Sequence, residues 1–227
     1  TCNINLATPS LPEMPLFDTF HLEGANIYLW MLNETLDELV SACRNKGITP
    51  DDDAFTCKSV NRIREKIAER LLLQEIFHDN IRLNHDTNGA PVIDIPDTSL
   101  SISHTAGWLC IATTNGACKM GIDIEVFDKQ VLRVRQKFLN ADELDWIPAD
   151  DLTANLMAWT AKEAIYKANS TRGTSLSGDI ALDCFMPIND MATKYKGHVS
   201  GVHCSFAITS ECRNNFILSL TFTVEKQ

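Results

Sequence analysis

The chain has 227 residues, 44% hydrophobic and 22% charged, the profile of an ordinary globular protein long enough for one large domain or two small ones. A formal net charge of -10 argues against a surface that tracks nucleic-acid phosphates, and no apolar run approaches the roughly 20 residues of a membrane helix. The opening TCNINLATPSLPEMPLF lacks the basic and apolar regions of a secretory signal, so a cytoplasmic protein is expected. The eight cysteines show no CxxC spacing and no cysteine pair beside a histidine spacing, which predicts free thiols in place of disulfides or a structural zinc site.

Residues 1–24 read as a Pro-rich lead-in. ANIYLWML (25–32) predicts a buried strand, and NETLDELVSAC a helix capped by Asn33. ITPDDDAFTC is a loop. SVNRIREKIAERLLLQEIFH (59–78) puts Ile63, Ile67 and Leu71 at helical spacing, with Arg62, Arg64, Glu65 and Glu69 on the other face. HDTNGAP is a turn and PVIDI a short strand. TSLSISH and WLCIATT form a hairpin with Ser103 and His104 near its bend. GIDIEVF is a strand, 131–147 holds a helix and a turn, and LTANLMAWTAKEAIYKA (152–168) is a strong helix. ALDCF, GVHCSFAIT and FILSLTFTV are strands. Strand, helix and antiparallel strands, met twice, predict an α+β fold. Its two pseudo-symmetric lobes, 25–116 and 117–227, would each be a small, mainly antiparallel sheet packed with a long helix.

In GIDIE, Asp123 and Glu125 alternate with Ile122, Ile124 and Val126, so both acids leave one face of a strand. Alone, that face is either a solvated edge or a site. In WTAKEAIYK, Trp159, Glu163 and Lys167 stand four residues apart on one helix stripe, with Lys162 beside it. Alone, Glu163 and Lys167 match a surface pair worth about a few tenths of a kcal/mol. Taken together, Asp123, Glu125 and Glu163 make an all-oxygen pocket suited to Mg2+ and a substrate phosphate. Without a cation the acids repel and at least one pKa rises. Lys167 and His104 are then left to meet the remaining phosphate charge.

ISHT (102–105), GIDIE (121–125) and WTAKEAIYK (159–167), in that order and at these intervals, resemble the motif set of the 4'-phosphopantetheinyl transferases. The resemblance is to the longer, single-chain type that activates peptide and polyketide synthetases. It extends to Phe138 and Glu143 in KFLNADE, to the Arg-bearing helix at 59–78 and to NGAP, over roughly residues 25 to 220. It implies two pseudo-symmetric α+β lobes with the active site between them. It also implies Mg2+-dependent transfer of the 4'-phosphopantetheine arm of coenzyme A to a serine of an acyl, peptidyl or aryl carrier protein. Adenosine 3',5'-bisphosphate is released, and a monomer suffices.

Carried over by motif, Asp123, Glu125 and Glu163 ligate Mg2+. Glu163 also deprotonates the carrier serine, directly or through a metal-bound water. Lys167 stabilises charge on a phosphate oxygen, while Ser103, His104 and Arg62 bind nucleotide phosphates. Lys162 reaches either phosphate or solvent, Trp159 packs and orients its helix, and Glu143 orders the site or is simply a solvated helix acid. One departure is Ala90 in NGAP, where many relatives have a cation; Arg64 or Lys58 would compensate. Arg133, Arg135 and Lys137, and separately Lys194 and Lys196, are candidate docking residues for an acidic carrier or plain solvated faces. Two other readings are a Mg2+-dependent coenzyme A or nucleotide pyrophosphatase and a non-catalytic carrier-binding paralogue.

Overall fold

A computed structural model of the chain describes residues 16–48, 56–79, 81–116, 118–187, 192–213 and 215–225. Strands β1 (Leu16–Leu22) and β2 (Ala25–Met31) form a hairpin, followed by helices α1 (Leu36–Asn45) and α2 (Val60–Phe77). A short ladder, β3 (Leu83–His85) with β4 (Pro91–Ile93), precedes the hairpin of β5 (Thr98–Thr105) and β6 (Trp108–Asn115). Then come β7 (Met120–Val126), α3 (Gln130–Val134), a 3-10 turn (Arg135–Lys137), α4 (Ala141–Trp146) and α5 (Leu152–Asn169). Strands β8 (Ile180–Leu182), β9 (Ala192–Val199), β10 (Ser205–Cys212) and β11 (Phe216–Val224) complete the described chain.

The main sheets have the orders β1-β2-β6-β5 and β7-β11-β10-β9-β8, antiparallel throughout, so the fold is α+β. The halves share element types but not a strand order. The sheets pack face to face: Ile27 and Leu29 of β2 and Cys110 and Ala112 of β6 meet Ile122 and Ile124 of β7 and Leu218 and Leu220 of β11. The reverse face of β6, with Leu109 and Ile111, packs on α1 and α2, and the reverse face of the second sheet packs on α5. β6 is apolar at consecutive positions because both of its faces are covered.

This layering explains GIDIE. Ile122 and Ile124 enter the core between the sheets, which turns Gly121, Asp123 and Glu125 toward α5. A Cβ at Gly121 would overlap the backbone carbonyl of Ala164 on α5, so only glycine admits that approach. Gly121→Ala is expected to lose about 1–3 kcal/mol or more, because backbone must move on both sides. A urea titration checks this, and an unchanged midpoint would contradict the close contact.

β5 and β7 are the facing edges of the two sheets, and serine side chains join them in place of a ladder. Ser101 Oγ accepts the Ile122 N–H at 3.0 Å and Ser103 Oγ accepts the Ile124 N–H at 3.4 Å. Two edges are thereby protected from unwanted pairing.

Several expectations need adjustment. β1 lies inside the stretch read as a lead-in. The cap of α1 is Thr35, not Asn33, because TLDE makes a capping box: the Glu38 N–H reaches Thr35 Oγ1 at 3.3 Å and the Thr35 N–H reaches Glu38 Oε2 at 2.8 Å. Glu69 is buried, not solvated. β9 was hidden by its lysines; Thr193, Tyr195, Gly197 and Val199 face inward while Lys194 and Lys196 face out. Most of the expected loop at 48–57 lies outside the described residues. The seven described cysteines are free thiols, and no helix among the described residues is long and apolar enough to cross a membrane.

Candidate functional site

Asp123 is nearly buried, at 5% exposure. Its Oδ1 accepts Ser103 Oγ–H at 2.7 Å and Lys167 Nζ–H at 2.8 Å, while its buried Oδ2 has no hydrogen-bond partner among the described residues. Glu125 accepts Thr105 Oγ1–H at 2.5 Å on one oxygen and Trp159 Nε1–H at 3.3 Å on the other. Lys167 Nζ also donates to the Ile122 carbonyl at 2.9 Å. Trp159 packs edge-on against Phe138 at 5.1 Å, so it both orients the helix and holds a site carboxylate.

Glu163 stands on the same stripe of α5. Burial pushes its pKa up to about 7, and the negative charges of Asp123 and Glu125 add to the shift while Lys167 opposes it. Burial also raises Glu125; Asp123 adds to that rise, and the bonds from Thr105 and Trp159 and the charge of Lys167 counter it. The three acids therefore feel one another across the gap between β7 and α5.

Among the described residues no three carboxylates, histidines or cysteines converge as a closed ligand set. The donor chemistry nonetheless fits a hard dication: all donors are oxygens, and the buried Asp123 Oδ2 has no hydrogen-bond partner among the described residues.

Lys167 also lines a cavity of about 870 Å³ walled by α2, the β3–β4 turn, β5, the start of β7 and the end of α5. In that wall His104 Nε2 lies 2.7 Å from Glu69 Oε1, and Arg62 Nη1 lies 3.0 Å from Nε2 and 3.3 Å from Nδ1. Glu69 is the only carboxylate in the wall among the described residues, so the cavity is strongly cationic within a chain of net charge -10. Arg62, Lys66, Arg70 and Lys167 have contacts within the protein. Arg82, Lys119 and Arg172 make no side-chain hydrogen bond or ion pair among the described residues.

Two expected ligand contacts are corrected. Lys162 is fully buried, donating to the Ile180 carbonyl at 2.7 Å and the Leu176 carbonyl at 2.9 Å and pairing with Glu143 Oε2 at 2.5 Å. One residue before Glu163 on a helix means about 100° away, which turns Lys162 into the core. Burial lowers its pKa, with Glu143 opposing. Glu143, 1% exposed, also accepts the Asn140 and Leu182 N–H groups, each at 2.8 Å, so it is a buried organiser and not a solvated acid. Ser103, 3% exposed, is committed to Asp123 and does not line the cavity.

Compensation for Ala90 also differs from expectation. The Arg64 guanidinium donates to the Glu34 carbonyl at 2.8 Å and the Leu32 carbonyl at 3.0 Å, and neither Arg64 nor Lys58 lines the cavity. Arg82, Lys119 and Arg172 share the wall with Ala90 instead. They come from three separate segments outside the ISHT, GIDIE and WTAKEAIYK stretches, so no local pattern announces them. In the candidate docking runs, Arg135 is internal, bonded to Asn155 Oδ1 at 2.9 Å and the Ile147 carbonyl at 2.6 Å. Lys194 pairs with Glu23 at 2.5 Å, whereas Arg133, Lys137 and Lys196 are exposed.

No curated protein matches the chain by sequence. Residues 119–219, from just before β7 into β11, match the family model of the 4'-phosphopantetheinyl transferase superfamily. That span carries Asp123, Glu125, Glu163 and Lys167 on the strand and helix described above. Over that span the chain is similar to the 4'-phosphopantetheinyl transferase superfamily.

Proposed function

We propose that the chain transfers the 4'-phosphopantetheine arm of coenzyme A to a serine of an apo carrier protein of the acyl, peptidyl or aryl kind, with Mg2+, releasing adenosine 3',5'-bisphosphate. One observation carries the reading: Lys167, paired with Asp123 and on the same helix stripe as Glu163, lines a cationic cavity large enough for a nucleotide. Free thiols suit a cytoplasmic setting, and a single chain supplying both walls suits a monomer.

Asp123, Glu125 and Glu163 would hold Mg2+, which when bound supplies charge neutralisation on the pyrophosphate. Glu163 accepts the proton of the carrier serine as its oxygen bonds to the pantetheine-bearing phosphorus. The bridging P–O bond breaks, and its electron pair leaves with adenosine 3',5'-bisphosphate. Lys167 meets the developing charge. His104, held by Glu69, and Arg62 orient the nucleotide phosphates from the opposite wall. The exposed Arg133 and Lys137, beyond the end of β7, suit an acidic carrier surface.

Arg82 and Arg172 serve coenzyme A affinity in this reading. Arg172→Ala or Arg82→Ala is expected to raise KM for coenzyme A about tenfold while kcat changes less than about twofold, as for loss of a charged hydrogen bond outside the reacting centre. Steady-state kinetics check the split, and a loss confined to kcat would contradict it. The reading itself is tested by calorimetric titration of coenzyme A with and without Mg2+. Saturable binding that tightens with Mg2+ is expected; no binding in either condition would remove its main support. Nucleotide release from coenzyme A without a carrier would point to a pyrophosphatase instead.

A further inference from the structure

β5 and β7 carry matched polar pairs at alternate positions, Ser103 and Thr105 on one edge, Asp123 and Glu125 on the other. Each hydroxyl donates to the acid opposite, Ser103 to Asp123 Oδ1 at 2.7 Å and Thr105 to Glu125 Oε2 at 2.5 Å. His104, between the two donors, points to Glu69 and the cavity, as strand alternation requires. Ser103 has a second constraint. Its oxygen accepts the Ile124 N–H at 3.4 Å, which directs its own hydrogen toward Asp123.

α5 supplies a second donor to each acid, Lys167 to Asp123 and Trp159 to Glu125. Two like charges on one strand face would otherwise rotate apart toward water. A donor fixed to one oxygen sets the carboxylate plane and thus the direction of the other oxygen, which on Asp123 is the buried Oδ2 without a partner among the described residues.

We propose that Ser103 and Thr105 are positioning residues of the metal site, which lock the carboxylates of Asp123 and Glu125 across the seam between the two sheets. The proposal rests on the metal-site reading above. Donor and acceptor belong to different sheets, so the site is only as well formed as the alignment of β5 with β7. Ser101 and Ser103 set that alignment through the Ile122 and Ile124 N–H groups. Ser103 therefore serves the metal and His104 the nucleotide, although they are neighbours in sequence.

The test is Mn2+ binding to the full chain, read by loss of the free-ion electron paramagnetic resonance signal, for the parent, Ser103→Ala, Thr105→Val and Thr105→Ser. Coenzyme A binding without metal is measured by calorimetry on the same proteins. Ser103→Ala and Thr105→Val are expected to weaken Mn2+ binding by about 10–100-fold, while Thr105→Ser, which keeps the hydroxyl, stays within about threefold of the parent. Metal-free coenzyme A affinity is expected to change less than about twofold, because neither side chain lines the cavity. Parent-like Mn2+ affinity in Ser103→Ala and Thr105→Val, with the parent binding the ion, would overturn the positioning role alone. A parent that binds coenzyme A but no Mn2+ would overturn the metal reading beneath it. Should Ser103→Ala fail to fold, the Thr105→Val against Thr105→Ser comparison at a partly exposed position decides.

Discussion

Glu163→Gln is expected to slow carrier modification by about 10²–10⁴-fold and, at the same time, to make the metal-free protein more stable above neutral pH. The two effects have one cause. Burial and two nearby carboxylates oppose the charge of Glu163 and push its pKa from the ordinary 4.5 up to about 7 in the folded chain. Between those values the folded state holds a proton that the unfolded state has released, so stability falls as pH rises. That part of the stability is fully present below about pH 4.5 and is lost by the time pH passes about 7, a total of about 3 kcal/mol at about 1.36 kcal/mol per pKa unit.

Glutamine keeps the shape and removes the titration. At about pH 8 in a chelator, the variant should melt roughly 6–12 °C above the parent, and the gap should close near about pH 5. Mg2+ should stabilise the parent and leave the variant nearly unmoved, since binding to the native state alone raises stability. Thermal melts at the two pH values check this. A variant that melts below the parent at both would show that Glu163 is not held against its charge.

The second large effect concerns stability alone. Glu143→Ala or Lys162→Met leaves one buried charge without its partner, at an expected loss of about 3–5 kcal/mol, or roughly 10 °C in melting temperature. The pair joins α4, α5 and β8, and among the described residues its other bonds run to the backbone of Asn140, Leu176, Ile180 and Leu182. Replacing both with apolar residues, Glu143→Leu with Lys162→Met, should recover much of the loss. KM for coenzyme A in the folded fraction should stay near the parent value in every case. A raised KM with unchanged stability would return Lys162 to the phosphate-contacting role that its sequence position suggests.

The sequence was most informative where a side-chain period met an apolar anchor. GIDIE declared both its strand and the shared direction of Asp123 and Glu125, since Ile122 and Ile124 can only face the core. The Trp159, Glu163, Lys167 stripe was equally legible, and these residues do approach β7. Partners that come from another sheet were not. Ser103 resembled a ligand contact because nothing local says that β5 abuts β7, and Lys162 resembled one because a lysine beside a site is normally solvated.

The missed cavity cations have the same origin. Arg82, Lys119 and Arg172 share one wall only after the chain has folded, while Arg64, on the long helix α2, is held by two backbone carbonyls. The strand β9 is not legible in the sequence because its lysines mask a buried alternate row. Local periodicity reports an element's face, and long-range packing decides what that face meets.

The central claim is group transfer to a carrier serine, and the most direct measurement is the intact mass of an apo carrier protein after incubation with the chain, coenzyme A and Mg2+. The account predicts a gain of one phosphopantetheine per carrier, lost when the carrier serine is changed to alanine, when Mg2+ is chelated, or when Glu163→Gln replaces the parent. Unmodified mass across acyl, peptidyl and aryl carriers, with coenzyme A and Mg2+ at saturating levels, would contradict it.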